Sequence, residues 1–154
     1  MRILVLHGPN LNLLGRREPH IYGKETLADI NARLEALARE LGTELVIVQS
    51  NHEGVLIDTL HANIHKADGA IINPAGITHY GIPLHDAIAA MPFPVIEVHL
   101  SNIAAREEWR HHSIISSAAH GTVQGFGWRS YSAALRLLVE MAREQKAPAR
   151  KRPS

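Results

Sequence analysis

Glu97 and His99 stand two apart in Val95-Ile96-Glu97-Val98-His99. A strand puts alternate side chains on one face, so the carboxylate and the imidazole meet near the strand's exit. A carboxylate there orients the ring and favours its protonated form, which makes His99 a candidate general acid. The pair could equally be a strand-end histidine bonded to backbone; the company it keeps favours chemistry. Three loops are rich in uncharged donors and acceptors: His7-Gly8-Pro9-Asn10-Leu11-Asn12, Asn73-Pro74-Ala75-Gly76-Ile77-Thr78-His79 and His99-Leu100-Ser101-Asn102. They suit a neutral or hydroxylated ligand with one anionic group, which backbone near Gly76 and Ser101 could hold. Tyr22 lies in Gly15-Arg16-Arg17-Glu18-Pro19-His20-Ile21-Tyr22-Gly23, a segment too long for a simple connection, with a glycine hinge at each end, as a lid would have. A free phenol is ionised about one part in a thousand at pH 7, so a tyrosine base needs a cation beside it, and Arg17 is the candidate. The bland alternative is two solvated arginines and a tyrosine packed on the following helix. Arg106 and Arg110, four apart, share a face if the segment is helical, and they follow directly after the candidate acid.

Other chemistries are disfavoured. The four lysines, Lys24, Lys66, Lys146 and Lys151, all lie away from strand exits, where a desolvated amine could form an imine. His111-His112 invites a metal reading, but neighbours on a helix point apart and no carboxylate set stands at ligand spacing, so no metal and no cofactor is expected. Asn10 occupies the place where a response regulator of this architecture carries an acidic cluster. Gly8-Pro9-Asn10 lacks the glycine spacing and the lysine of a phosphate loop.

The elements that must position these groups can be read from periodicity. Apolar runs Ile3–Leu6, Leu45–Val48, Ala70–Ile72, Val95–Val98 and a weaker Thr122–Phe126 predict five buried strands. Between them run helical stripes: Leu27, Ile30, Leu34, Leu37 and Leu41, with Thr26 and Asp29 as a capping box and Gly42 as the stop; Leu56, Leu60 and Ile64, stopping at Gly69; Leu84, Ala87, Ile88 and Met91, ending at Pro92; and Leu135, Leu138, Val139 and Ala142. Pro83 fits a first helical turn. Strands alternating with helices predict parallel pairing, hence an α/β three-layer sandwich with a five-stranded parallel sheet in flavodoxin-like order. Ligands of such sheets bind past the strand carboxyl ends where strand order reverses, which is where the three polar loops fall.

At 154 residues, 45% hydrophobic and 20% charged, the chain is one domain, here bounded as residues 1–145 with a basic tail at 146–154. Sixteen Lys+Arg against fifteen Asp+Glu give no broad field towards nucleic acid or membrane. The absence of cysteine removes thiolate, disulfide and Cys-zinc chemistry and is compatible with a reducing cytoplasm, the expected location. The N-terminal apolar run is broken at His7-Gly8-Pro9, so neither a signal peptide nor a membrane span is expected there.

Taken together, Gly8-Pro9-Asn10-Leu11-Asn12, Gly15-Arg16-Arg17-Glu18-Pro19 to Tyr22-Gly23, Asn73-Pro74, Thr78-His79 and Ile96-Glu97-Val98-His99-Leu100-Ser101-Asn102 with Arg106-Glu107 resemble type II 3-dehydroquinate dehydratases, in order over residues 1 to 140. The resemblance implies a flavodoxin-like subunit assembled as a homododecamer, a tetramer of trimers, that dehydrates 3-dehydroquinate to 3-dehydroshikimate without cofactor or metal. It implies that Tyr22 is the base, Arg17 its activating neighbour, Asn10 a holder of the enolate, His99 the acid and Glu97 the group behind it. It further implies that Asn73, Leu100 and Ser101 form the carboxylate site, that His79 and Arg110 contact hydroxyls, that Asp86 reaches a neighbouring subunit's site, and that Arg106 is a lid-side arginine. Three positions depart from the family pattern: Tyr80-Gly81 replaces Thr-Ser after His79, and His85 replaces the arginine before Asp86. A binding protein of the same fold, or a purely structural assembly protein, is the rival expectation.

Overall fold

A computed structural model describes residues 1–16 and 18–147; Arg17 and residues 148–154 of the basic tail lie outside the described residues. Five strands, β1 (Arg2–His7), β2 (Glu44–Gln49), β3 (Gly69–Asn73), β4 (Val95–His99) and β5 (Gly121–Gln124), form one sheet. All pairs are parallel, and the order is β2-β1-β3-β4-β5. This is the flavodoxin-like order, with the reversal between β1 and β3. The helices are α1 (Pro19–Tyr22), α2 (Leu27–Leu41), α3 (Glu53–Ala62), α4 (Ile82–Ala89) and α5 (Arg129–Lys146).

Alternation along the strands sorts the apolar side chains into two cores. Ile3, Val5, Ile71, Ile96 and Val98 pack with Ile30 and Leu34 of α2 and with Leu135 and Leu138 of α5. Leu4, Leu6, Ala70, Ile72 and Val95 pack with Leu56 and Leu60 of α3 and Leu84 and Ile88 of α4. This two-sided burial makes the three layers expected from the sequence. The expected capping box is formed: the Thr26 side chain accepts from the Asp29 N–H, the Asp29 carboxylate accepts from the Thr26 N–H, and Gly42 ends α2 with a left-handed φ of 66°.

The structure differs from the sequence reading in four respects. The edge strands β2 and β5 are only half-buried, because one flank of each has no neighbouring strand. β5 stops at Gln124, where Gly125 turns the chain with φ 92° and its N–H goes to the His99 carbonyl. α3 ends at Ala62, well before Gly69, leaving Ile64 in a turn; Gly69 opens β3, where a Cβ would sit 3.1 Å from a Leu138 methyl. Its glycine allows α5 to lie close on the sheet. Likewise Met91 falls beyond the end of α4.

The junction of β1 and β3 is held by a glycine. The Gly8 N–H donates to the Asn73 carbonyl at 2.8 Å, and a Cβ on Gly8 would stand 2.6 Å from the Pro74 oxygen. Only a bare α-carbon lets the two polar loops approach this closely. Gly8→Ala is therefore expected to lower stability by about 1–3 kcal/mol, the usual cost of overpacking, read as a lower urea midpoint with unchanged slope.

Candidate active site

The exits of β1, β3 and β4 open into a cleft of about 360 Å³ lined by Asn10, Tyr22, Asn73, His79, His99, Leu100, Ser101, Arg106 and Arg110, with Pro9, Tyr80, Ile103 and Trp109 also on its walls. Nine of the twelve residues that the sequence singled out thus share one cavity. Of the other three, Glu97 is buried behind His99, Asp86 stands outside on α4 with its side chain 74% exposed, and Arg17 lies outside the described residues.

Odd and even positions explain which layer supports which group. Ile96 and Val98 face α2 and α5, so Glu97 and His99 face the opposite layer. There the Glu97 carboxylate, fully buried, accepts from four groups: His99 Nε2 at 2.8 Å, Ser113 Oγ at 2.7 Å, and the hydroxyls of Thr78 and Ser116. Burial by itself would push this carboxyl up; the hydrogen bond and positive charge of His99, with the Ser116 and Thr78 hydroxyls, outweigh it and hold the group at about 2. Because Glu97 takes Nε2, the other ring nitrogen, Nδ1, is the one that can exchange a proton with a ligand.

Tyr22 ends α1, a single turn opened by Pro19 and closed by Gly23 in a positive-φ conformation. The Arg106 guanidinium sends Nη1 and Nη2 to the Tyr22 hydroxyl, each at 3.3 Å, and lies 5.3 Å from the ring centre. Nη1 also donates to Ser101 Oγ at 3.3 Å. The cation beside the phenol in the described structure is thus Arg106, which the sequence reading had placed only as a lid contact. Arg106 and Arg110 do not share one helix face. Arg106 follows one 3-10 turn, Ile103–Ala105, and Arg110 ends a second, Glu108–Arg110, with extended backbone at Arg106 between them, yet both reach the cleft. Glu107 accepts from Arg110 Nε.

On β3's exit, Asn73 Oδ1 accepts from the Ala75 N–H at 3.1 Å, and Ala75 sits at φ 51°. His79 Nδ1 donates to the His112 carbonyl at 2.8 Å, which turns Nε2 the other way, and its ring meets Trp109 edge-on. His111 Nε2 bonds the Arg106 carbonyl instead, so the adjacent histidines serve separate loops. Asn10 occupies a left-handed conformation at φ 68°, its N–H held by Asn51 Oδ1 at 3.0 Å.

Thr78, Ser113 and Ser116 escaped the sequence reading as functional groups. Thr78 lay in a quoted loop, but Ser113 and Ser116 lie in an irregular segment between β4 and β5, with neither a period nor a motif to mark them.

A doubly wound sheet that gathers a phenol under a guanidinium, an imidazole backed by a carboxylate and a set of uncharged donors at its switch point is an α/β enzyme frame built for acid–base work. The comparisons narrow that class. The family model described as dehydroquinase class II matches residues 1–139. A 3-dehydroquinate dehydratase of Desulforudis audaxviator is 59% identical over 141 residues, 92% of this chain and 94% of that protein. The crystal structure of the type II dehydroquinase from Propionibacterium acnes superposes with a TM-score of 0.87 at 46% identity, covering 90% of this chain and 96% of that one. That from Butyrivibrio crossotus gives 0.88 at 39% identity, over 90% and 97%. The chain belongs to the class II dehydroquinase family and is an enzyme of the hydro-lyase type. Among the described residues, no helix is long and apolar enough to cross a membrane.

The low pKa of Glu97 links this site to stability. Its folded value of about 2 lies below the ordinary 4.5, so its contribution is present above about 4.5 and is lost as pH falls through about 2. That difference is on the order of 3 kcal/mol. Urea titrations from pH 6 down to pH 2 are expected to show a loss of wild-type stability that is visibly flatter in Glu97→Gln.

Proposed function

We propose that this chain is a type II 3-dehydroquinate dehydratase that eliminates water from 3-dehydroquinate through an enolate, with Tyr22 as base and His99 as acid. The observation that carries the reading is one cleft holding both Tyr22 under Arg106 and His99 backed by Glu97. The Tyr22 oxygen must bear negative charge before it can take a proton from the carbon beside the ketone, and the Arg106 donors point at that atom. Arg17 is the second cation assigned to this task. As the C–H bond breaks, its electron pair moves onto the ketone oxygen, where the Asn10 amide donates to the enolate. The enolate then collapses, the β-hydroxyl departs, and His99 Nδ1 delivers the proton that makes it water. The proton left on Tyr22 and the one lost by His99 balance, so no other reactant is consumed.

Asn73, Leu100 and Ser101 take the substrate carboxylate, and His79 and Arg110 the ring hydroxyls. An enolate route also agrees with the absence of lysine from the cleft lining among the described residues, since an imine has no amine to form on. No metal or cofactor enters the scheme, and the segment around Tyr22 acts as a lid. The product serves aromatic amino-acid biosynthesis or quinate breakdown, in the cytoplasm.

Incubation with 3-dehydroquinate is expected to produce the ultraviolet absorbance of a conjugated enone; a flat trace from folded protein rejects the reading. Tyr22→Phe should lower kcat by about 10²–10⁴ while a titration with 3-dehydroquinate still shows binding. Unchanged turnover in that variant excludes Tyr22 as the base.

The quaternary proposal is a dodecamer, four trimers, in which Asp86 completes a neighbour's site. Supporting it, the Asp86 side chain is exposed and outside its own cleft, tethered by His85 Nδ1 at 3.1 Å. Sedimentation should give a particle of about twelve chains, and Asp86→Ala should raise KM. A monomer with full activity overturns this part alone.

A further inference from the structure

One row of buried polar groups that the reaction scheme leaves unused lies on the other face of the sheet. His7 is fully buried at the end of β1. Its Nδ1 lies 2.8 Å from the Tyr131 hydroxyl of α5, and its Nε2 lies 2.9 Å from Asn31 Oδ1 of α2. Tyr131, also fully buried, meets the Asn73 side chain as well. The strand register makes this unavoidable: His7 and Asn73 are paired neighbours on β1 and β3, so their side chains leave the sheet side by side towards α5.

The direction of every hydrogen bond in this row follows from chemistry. An amide oxygen only accepts, so Nε2 of His7 must carry the proton given to Asn31. Burial disfavours the imidazolium and holds His7 down to about 4, so the ring is neutral and Nδ1 has only a lone pair. The Tyr131 O–H therefore donates to Nδ1, and burial keeps that phenol protonated. The Tyr131 oxygen is then left to accept, and the group that reaches it is the Asn73 amide. With Asn73 Oδ1 already engaged by the Ala75 N–H, the amide cannot flip without losing both contacts. Asn73 itself lines the cleft.

We propose that His7 and Tyr131 are positioning residues for the reaction: with Asn31 they form a one-way row of hydrogen bonds that fixes the Asn73 amide with a donor towards the substrate. This rests on the assignment of Asn73 as a substrate contact. The row joins α2, β1, α5 and β3, so it orients a binding group from outside the acid–base machinery.

Two measurements test it. Proton–nitrogen correlation spectra of the wild type, with the His7 signal assigned by its loss in His7→Gln, should show a neutral ring protonated at Nε2 throughout pH 5 to 8. A ring protonated at Nδ1, or one that charges in that range, overturns the row whether or not the protein turns over substrate. Tyr131→Phe keeps the ring and removes only the hydroxyl. It is expected to raise KM for 3-dehydroquinate about three- to tenfold, the effect of one misaligned hydrogen bond, with kcat within about twofold of wild type. A lower melting temperature with unchanged KM means that the row is merely structural and rejects the proposal. If the wild type makes no enone at all, the activity reading fails, while the spectra still decide the arrangement at His7.

Discussion

A full negative charge shut away from water destabilises a fold by several kcal/mol unless donors surround it. Glu97 is that charge here, and much of the site's other architecture follows from accommodating it. Four donors converge on its two oxygens: one imidazole from its own strand, one hydroxyl from the β3 exit loop and two from the irregular segment before β5. That segment is tied back by the Ile114 N–H to the Thr78 carbonyl. Loops that a sequence would leave unconnected are thus stitched together around one carboxylate. The same ring of donors fixes the tautomer of His99 and hence which nitrogen faces the ligand.

On the Tyr22 side the logic is reversed. The phenol is half-buried and packs against the α2 and α5 core, and its oxygen meets a guanidinium whose side chain is 11% exposed. Arg106 is braced by Ser101 and by Glu107, at 3.3 and 3.9 Å, so the cation is directed without being neutralised at close range. The two ionisable groups of the cleft are thus set differently: the phenol has a directed cation beside it, and the imidazole a buried anion behind it.

The architecture was legible in the sequence because parallel sheets leave apolar runs and their helices leave stripes. Thr26, Asp29 and Gly42 even marked the ends of α2 correctly. Polar loops at strand exits were legible for the same reason, since topology decides where a ligand can sit. Pairings across long separations were not. Tyr22 and Arg106 are 84 positions apart, and nothing local to either marks the other as its partner. Ser113 and Ser116 carry no periodic signal and belong to no motif. Nothing local to Tyr131 reveals that its hydroxyl meets a histidine 124 positions away. Ends of elements slipped where glycine had two meanings: Gly69 was read as a helix stop and proved to be a point of close helix-to-sheet contact.

Strand alternation has one more effect. Glu97 and His99 lean on the layer of α3 and α4, while His7 and Asn73 lean on that of α2 and α5, so the halves of one pocket are anchored in two separate apolar interiors. Side chains far apart and without shared neighbours respond to substitution nearly independently. Substitutions in the interior behind Glu97 and in the interior behind Asn73 are therefore felt by different walls of the pocket.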